Sequence, residues 1–357
     1  MADKPIEVAQ VRGHDFQGNP VVELITTPDQ LSLFQNFNIP GASSTIELYD
    51  AMPKSFPSNK DMEALRRKNG GKFLQTLSRQ FVYREQQYQL VIRPARIRDR
   101  DGNEREYYPT QREDLIEQAL RKLATNPRNG IYLGGNLAVQ FSLSELSREL
   151  ERTGHGMSYT SLKQGLEINN ATHVTLTGDG SKPVVNSTIF PVFIHANRKQ
   201  WEENPSTAKC YVKFHPLVSL SVEELSHRQL DYETMMQFRY ALSYWLFKRL
   251  SHLYTFADYT KPYSIRLTTI LRDSDMVRSA NPSDNLKRVR RTLDEFTERR
   301  VLMCYDEAIT RGPNNRIADV TFSMVPTPEF KDHAIKANQQ QQRLRQLASP
   351  FVDNNTD

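Results

Sequence analysis

Residues 282–300 read PSDNLKRVRRTLDEFTERR, and the interpretation of the whole chain starts from this stretch. Its apolar residues recur at three- and four-residue steps, which is the spacing of one face of an α-helix. Pro282 suits the first helical turn, whose amide protons have no partner inside the helix, and Asn281 or Ser283 can cap that turn. The pattern predicts an amphipathic helix with a buried stripe made of Leu286, Val289, Leu293 and Phe296.

Charge is distributed unevenly along this predicted helix. Its first half carries four basic residues, whereas Asp294, Glu295 and Glu298 follow in the second half. A helix that packs on one side and carries positive charge near its amino end suits the major groove of DNA. A solvated helix with a charged face is the alternative that the helix alone leaves open. The candidate DNA-binding residues here are Lys287, Arg288, Arg290 and Arg291.

The segments on either side of this helix favour DNA binding. Residues 264–273 predict a short strand that runs into a short helix, and residues 301–305 and 317–322 are two β-prone runs. A turn-rich tip with Arg311 and Arg316 at its two ends joins these runs. The order strand, helix, helix and two-stranded wing predicts a winged helix-turn-helix, and we expect both arginines of the tip to bind DNA.

Composition sets the limits of what this chain can be. Its 357 residues suggest about two domains, and 38% apolar and 25% charged residues suit a globular protein with a core. There is no apolar run near the ~20 residues that span a bilayer and no leader at Met1, so we expect a soluble, cytoplasmic protein. The net charge of +5 permits an acidic partner such as nucleic acid. Cys210 and Cys304 lie in strand-like runs, which predicts two buried thiols.

The first half of the chain repeats the same order of elements. A predicted strand at 137–141 precedes a capping box at Ser142 and Glu145, a second helix begins near Ser158, and strands are predicted at 173–177 and 184–193. We interpret this as an internal duplication at the level of fold, since the identity between the copies is slight. The second helix of this copy is much less basic, and its candidate DNA-binding residues are Lys163 and Gln164.

Three further segments give coarser predictions. Residues 73–108 read as strands with a hairpin turn at Asp101 and Gly102. The arginines of this hairpin either face DNA or belong to an ordinary exposed hairpin, and the sequence leaves both readings open. Residues 230–254 predict one long helix that ties the two halves together, and the polar tail is predicted to be disordered beyond one helical stretch.

The sequence gives little support to an enzyme. Gly70, Gly71 and Lys72 lack the earlier glycine and the following Ser or Thr of a phosphate-binding loop. The eight histidines form no His-x-His pair, and no Cys and His cluster suggests zinc. We therefore predict no catalytic residue, no cofactor and no metal site.

A short peptide near the amino end carries a more specific signal. Residues 30–34 read QLSLF, which resembles, letter for letter, the peptide by which bacterial replication and repair proteins dock on the replicase sliding clamp. An extended peptide can place its apolar side chains in a hydrophobic groove while a glutamine bonds at the edge. The alternative is a short segment that packs on its own domain. The resemblance predicts the bacterial sliding clamp as a partner of Gln30, Leu31, Ser32, Leu33 and Phe34.

The two predicted winged units, QLSLF, and YYPTQREDLIEQALRKLA at 107–124 together resemble plasmid replication initiators of the TrfA and RepA type. The resemblance implies a protein that binds double-stranded origin DNA at direct repeats (iterons), helps to open the duplex, and recruits the host replicative helicase and initiator with the clamp. It implies that the basic helix reads an iteron, that Arg311 and Arg316 hold the flanking backbone or minor groove, and that the first copy binds phosphates or forms a homodimer. The rival interpretation is a winged-helix transcriptional repressor that binds an operator.

The predicted fold is therefore α+β, with two tandem winged-helix domains. Residues 1–50 are expected to form a flexible arm with the clamp-binding peptide, and residues 51–225 the first winged-helix domain with a β-hairpin insertion. Residues 226–328 are expected to form the second, DNA-recognition domain, and residues 329–357 a disordered tail.

Overall fold

The computed structural model describes residues 7–14, 20–26, 31, 34–35, 41–55, 59–68, 70–71, 73–98, 102–178, 185–195, 208–276, 279 and 281–352. Within these ranges the protein is a mixture of helices and antiparallel sheets. The described part of the chain contains no helix that is both long enough and apolar enough to cross a membrane.

The amino-terminal arm contains regular structure. Strands β1 (Glu7–His14) and β2 (Pro20–Thr26) pair as an antiparallel hairpin. Strand β3 (Ala42–Thr45) pairs with residues 228–231 in the second half of the chain. The described part of the arm therefore includes paired strands, and the β-branched residues of β2 favour such pairing.

Two helices and four strands lead into the first unit. They are α1 (Glu47–Ala51), α2 (Asn59–Lys68), β4 (Leu77–Tyr83), β5 (Gln86–Arg93), β6 (Ala95–Arg98) and β7 (Glu104–Tyr107). The predicted hairpin is confirmed, since β6 pairs with β7 in antiparallel register. Arg96 binds Glu106 at 2.8 Å and Arg105 binds Glu63 at 2.5 Å. These pairs favour the ordinary hairpin, because protein carboxylates already neutralise two of its arginines.

The first unit has the predicted order of elements. It comprises α3 (Gln111–Ala124), β8 (Gly130–Leu133), β9 (Asn136–Phe141), α4 (Leu143–Arg152), α5 (Tyr159–Ala171), β10 (His173–Gly178), β11 (Val185–Thr188), β12 (Val192–Ile194), β13 (Cys210–Lys213) and α6 (Pro216–Glu223). The capping box is confirmed, since the Glu145 amide donates to Ser142 Oγ and the Ser142 amide donates to the Glu145 carboxylate.

The second unit occupies the rest of the described chain. It comprises β14 (Arg228–Asp231), α7 (Tyr232–Met235), α8 (Ala241–Leu253), β15 (Tyr263–Arg266), α9 (Leu267–Ser274), α10 (Pro282–Glu298), β16 (Leu302–Arg311), β17 (Ile317–Pro326) and α11 (Pro328–Val352). Helix α10 is the predicted basic helix, and β16 and β17 are the predicted wing, with ten residues in each strand.

The two units share the order of their elements but not their strand pairing. In the second unit, β15, β17 and β16 form one three-stranded sheet. In the first unit, β9 lies in the sheet β12-β13-β9-β8, whereas the hairpin of β10 and β11 lies in the sheet β11-β10-β5-β4. The reason is that β10 pairs with β5, from His173 opposite Arg93 to Gly178 opposite Tyr88.

The single long helix predicted over residues 230–254 is wrong. The structure has strand β14, the short helix α7 and then α8. Asp231 caps α7 by accepting from the Thr234 amide at 3.0 Å. The buried Glu295 carboxylate then accepts from the Arg239 amide at 2.7 Å and from Ser243 Oγ at 2.6 Å. These bonds satisfy the backbone in the non-helical turn and fix the start of α8.

The helical stretch predicted in the carboxyl-terminal tail is present as α11, a helix of 25 residues. Its residues Ala334, Ala337 and Leu344 are buried, at spacings that place them on one face. The ring of Phe330 lies 6.1 Å from that of Phe247. The sequence analysis did not predict this narrow apolar stripe, because most residues of the tail are polar.

A buried network of six charged side chains joins the two units. Arg121 binds Asp50 at 2.8 Å and Glu117 at 2.6 Å, and Lys54 binds Glu117 at 2.7 Å. On the other side, Lys248 of α8 binds Asp114 of α3 at 3.0 Å. Three positive and three negative groups balance, as buried charges require. Burial alone would raise the pKa of Glu117, but Lys54 and Arg121 lower it to about 2.

Candidate nucleic-acid interface

Helix α10 begins and packs as its sequence predicts. Asn281 Oδ1 accepts from the Ser283 amide at 3.1 Å, and Pro282 is the first helical residue. All four residues of the predicted stripe are buried: Leu286, Val289, Leu293 and Phe296. The Phe296 ring lies 5.0 Å from Phe238, so one face of the helix is fixed on the core. The opposite face of the helix is therefore presented to solvent.

Three of the four predicted basic residues are exposed on α10. The side chain of Lys287 is 69% exposed and lies 4.0 Å from Asp284, the limit of an ion pair. Arg288 and Arg291 are exposed and form no ion pair with any residue that the structure describes. Because residues 287 and 291 are one helical turn apart, their charges lie on the same side. We call Lys287, Arg288 and Arg291 the basic face.

Arg290 is placed differently from its neighbours. Its Nε lies 2.8 Å from Glu307 Oε1 and its Nη2 lies 2.6 Å from Glu307 Oε2. This bidentate pair ties α10 to β16. Nearby, the Tyr305 hydroxyl donates to Asp294 at 2.9 Å. Arg290 therefore acts as a brace between the helix and the wing, and a base-reading role for it would require breaking the pair with Glu307.

The wing carries its two arginines at the predicted tip. Residues Pro313–Asn315 form a short 3₁₀ turn, and Asn315 has a left-handed backbone with φ 57°. Arg311 and Arg316 are exposed, and Arg311 Nη1 donates to the Asn315 carbonyl at 3.0 Å. This bond uses one of the five N–H donors of the Arg311 guanidinium.

The candidate residues of the first unit are less accessible to a ligand. Gln164 accepts from Arg112 Nη1 at 3.1 Å, so its side-chain oxygen is already bonded. Lys163 is exposed but lies 3.9 Å from Glu167. No strongly basic surface is therefore built around Lys163 and Gln164 within the described part of α5.

The structure describes two residues of the predicted clamp-binding peptide, Leu31 and Phe34. Leu31 and Phe34 are helical and buried, and the Phe34 ring lies 5.1 Å from His227 in an edge-on contact. Next to them, Gln35 Nε2 donates to the Gly130 carbonyl at 3.0 Å. For Leu31 and Phe34, this burial corresponds to the alternative interpretation, in which they pack on their own domain. Gln30, Ser32 and Leu33 lie outside the described residues.

Sequence reasoning missed a cleft beside the basic face. Arg288 and Arg291 line a cavity of about 340 Å³ together with Arg239 and the exposed Tyr240. Arg239 binds Glu295 at 3.2 Å and Glu298 at 2.7 Å, so it neutralises the acidic second half of α10. The sequence analysis did not identify Arg239 and Tyr240 as candidates, because it predicted that both residues lie inside one long helix.

The two predicted thiols differ. Cys210 is buried as expected, but Cys304 is exposed on β16, so the prediction is wrong for Cys304. Among the described residues, no group of three or more His, Cys, Asp or Glu side chains is placed to hold a metal ion.

No protein-family model matches this sequence, and no relative was found among curated proteins. Solved structures do resemble it. A crystal structure of domains 2 and 3 of RctB covers 70% of this chain and 91% of its own chain, with a TM-score of 0.45 at 10% identity. A second structure of these RctB domains covers 73% and 94%, with a TM-score of 0.44 at 7% identity. The Pi initiator protein in complex with iteron DNA covers 60% and 91%, with a TM-score of 0.40 at 11% identity.

Proposed function

We propose that this protein initiates replication by binding direct repeats in double-stranded DNA, with the amino-terminal half of α10 in the major groove. The observation that carries the proposal is the basic face. Three exposed cations lie on a helix whose opposite side is fixed in the core, and none is strongly paired with a described carboxylate. Phosphates of a duplex are the partners that such a surface accommodates.

The wing supports the same orientation. The pair of Arg290 with Glu307 and the bond of Tyr305 to Asp294 hold β16 beside α10. A wing held in this way brings Arg311 and Arg316 to the phosphates or minor groove next to the site of the helix. We propose on this basis that the second unit is a winged-helix domain, and that the first unit is its divergent partner in a tandem arrangement.

The sequence resemblance to plasmid replication initiators indicates which DNA is bound, namely the iterons of a replication origin. In this proposal the protein helps to open the duplex, recruits the host helicase and initiator, and rests as a monomer or homodimer. The different strand pairing of the first unit and its bonded Gln164 suit a role in phosphate or protein contacts.

Clamp binding is proposed only with a change of conformation. Leu31 and Phe34 have to leave the core before a groove on another protein can bury them, and full burial of each side chain contributes about 1.5–3 kcal/mol. A pull-down tests this step with Leu33→Ala, beside a thermal melt of the same variant. Undiminished capture of the clamp by folded Leu33→Ala would exclude QLSLF as the docking peptide.

A footprint of the purified protein on its parent replicon tests the main proposal. We expect protection of several direct repeats, with an affinity that falls steeply as salt rises. A single protected inverted repeat at a promoter would indicate a repressor instead. Protection of no DNA at low salt would exclude both interpretations.

A further inference from the structure

A cavity of about 230 Å³ lies at the carboxyl end of α10, away from the basic face. It is bounded by β14, by the turn after α10 and by the first turns of α11. Twelve residues separate Lys287 from Arg299, which corresponds to about 18 Å along a helix. Four basic side chains from these three elements line the cavity: Arg228, Arg299, Arg300 and His333.

Arg228 is the central residue of this cavity. Its side chain is 3% exposed, and its Nη2 donates to the Ala334 carbonyl at 3.2 Å. Its Nε is buried without a hydrogen-bond partner among the described residues, and so is the Nε of Arg299. Burial lowers the pKa of Arg228 because the charged form is poorly solvated there. Buried charges are usually paired. Glu47 attracts Arg228 electrostatically, but neither buried Nε has an acceptor among the described residues, which points to an external anion beside these side chains.

The turn after α10 places Arg299 and Arg300 on the lining of this cavity. Arg300 has a left-handed backbone with φ 57°, which costs a non-glycine residue about 1 kcal/mol. The Thr327 hydroxyl holds this turn by donating to the Arg300 carbonyl at 2.6 Å. The left-handed residue closes α10 as an ordinary helix end, since the Arg300 amide donates to the Thr297 carbonyl at 3.2 Å and the Val301 amide to the Phe296 carbonyl at 2.8 Å.

The charge of the cavity lining stays net positive, because the three arginines Arg228, Arg299 and Arg300 face the two carboxylates Asp231 and Glu329. Asp231 also accepts bonds from Thr234, at 3.0 Å from its amide and 2.6 Å from its hydroxyl. Glu329 is exposed in the first turn of α11. The amino end of this long helix adds partial positive charge on the same side of the cavity.

We propose that this cavity is a binding site for a small phosphorylated ligand, with the phosphate between Arg228 and Arg299 and an apolar group against Phe330. The volume is below the ~300–1,000 Å³ of drug-sized sites, so it admits a diphosphate and part of an organic group, but not a duplex. Arginine suits this role because its planar fork binds phosphate through two parallel bonds. The site is independent of the proposed role of α10 in binding DNA.

Calorimetric titration of the full chain with inorganic pyrophosphate and with ADP, at matched ionic strength, tests the proposal. We expect one saturable site, and a melting temperature that rises by several degrees at saturating ligand. Arg228→Met and Arg299→Met should each weaken binding by at least about tenfold. Arg148→Met, which changes an exposed arginine of α4, serves as the matched control and should bind as the wild type does.

Either of two results would overturn the site. The first is the absence of saturable binding of both probes to wild type. The second is unchanged binding in Arg299→Met, a partly exposed position whose variant stays informative if Arg228→Met fails to fold. Loss of duplex affinity in Arg228→Met, with no pyrophosphate binding by wild type, would place the cavity in the path of the DNA and equally exclude a small ligand.

Discussion

At the scale of single residues, Arg290 and Arg291 show how neighbours in sequence acquire different roles. Arg290 is held by both oxygens of Glu307, whereas Arg291 is exposed beside a cleft. The sequence predicted both as readers of DNA, because periodicity alone cannot reveal a carboxylate on another strand. Removal of each side chain should therefore have a different effect.

We expect Arg291→Ala to weaken binding to a footprinted repeat by about 1–3 kcal/mol and to relax the preference for one base pair. Arg290→Ala should mainly loosen the contact of α10 with the wing, with a smaller effect on affinity. Fluorescence anisotropy with the repeat and with a scrambled duplex measures both changes. An equal loss on both duplexes for Arg291→Ala would limit that side chain to phosphate contacts.

His227 gives a prediction for pH. Burial lowers its pKa to about 4, below the ~6.5 of an unfolded chain. The unfolded state therefore binds more protons between these values, and stability falls as pH decreases through this window, by up to about 1.4 kcal/mol per pH unit. Burial shifts the pKa of His215 and His252 in the same direction, to about 3 for each.

Urea unfolding at about pH 7, 6 and 5 measures this slope, and His227→Gln should make it shallower. If the variant and wild type lose stability in parallel over this range, the His227 side chain does not contribute to the acid sensitivity.

At the scale of elements, the wing has a measurable signature. Arg311 and Arg316 are exposed at its tip, where they can approach phosphates. Replacing either by alanine should weaken all duplexes alike and lower the slope of log affinity against log salt by about 1 per lost contact. Asn315→Ala is an unsuitable control, because its left-handed backbone would be strained. Arg148→Ala, which removes an exposed arginine of α4, is the matched charge deletion. A wing variant with the same salt slope as Arg148→Ala would show that the wing arginine does not contact DNA.

The sequence was sufficient for those elements whose stability is local. Helix α10, its stripe and its cap follow from spacing and end residues, and the capping box at Ser142 is present as predicted. The sequence was insufficient where a residue far away along the chain determines a helix boundary or a strand pairing. Glu295 interrupts the expected long helix from 52 residues away along the chain, and α11 is held by Phe247. The pairing of β10 with β5 likewise depends on a hairpin that precedes the unit.

At the scale of the whole molecule, the buried charge network holds the two units together. We expect Arg121→Met to destabilise the protein by about 3–5 kcal/mol, because Asp50 and Glu117 remain buried without their guanidinium partner. Arg84→Met removes the exposed pair with Glu47 and should cost no more than about 1 kcal/mol. Denaturant unfolding compares them, and equal midpoints would mean that solvent reaches the network.

The carboxylate of Glu295 has a consequence for how α10 can move. Successive residues of an α-helix are about 100° apart around its axis, so turning α10 by a single residue would strand the Arg239 amide and the Ser243 hydroxyl. Any reorientation of α10 on DNA therefore has to carry α8 along. Because Lys248 and His252 lie on α8, such a motion would be transmitted to Asp114 and Thr45 in the other half of the protein.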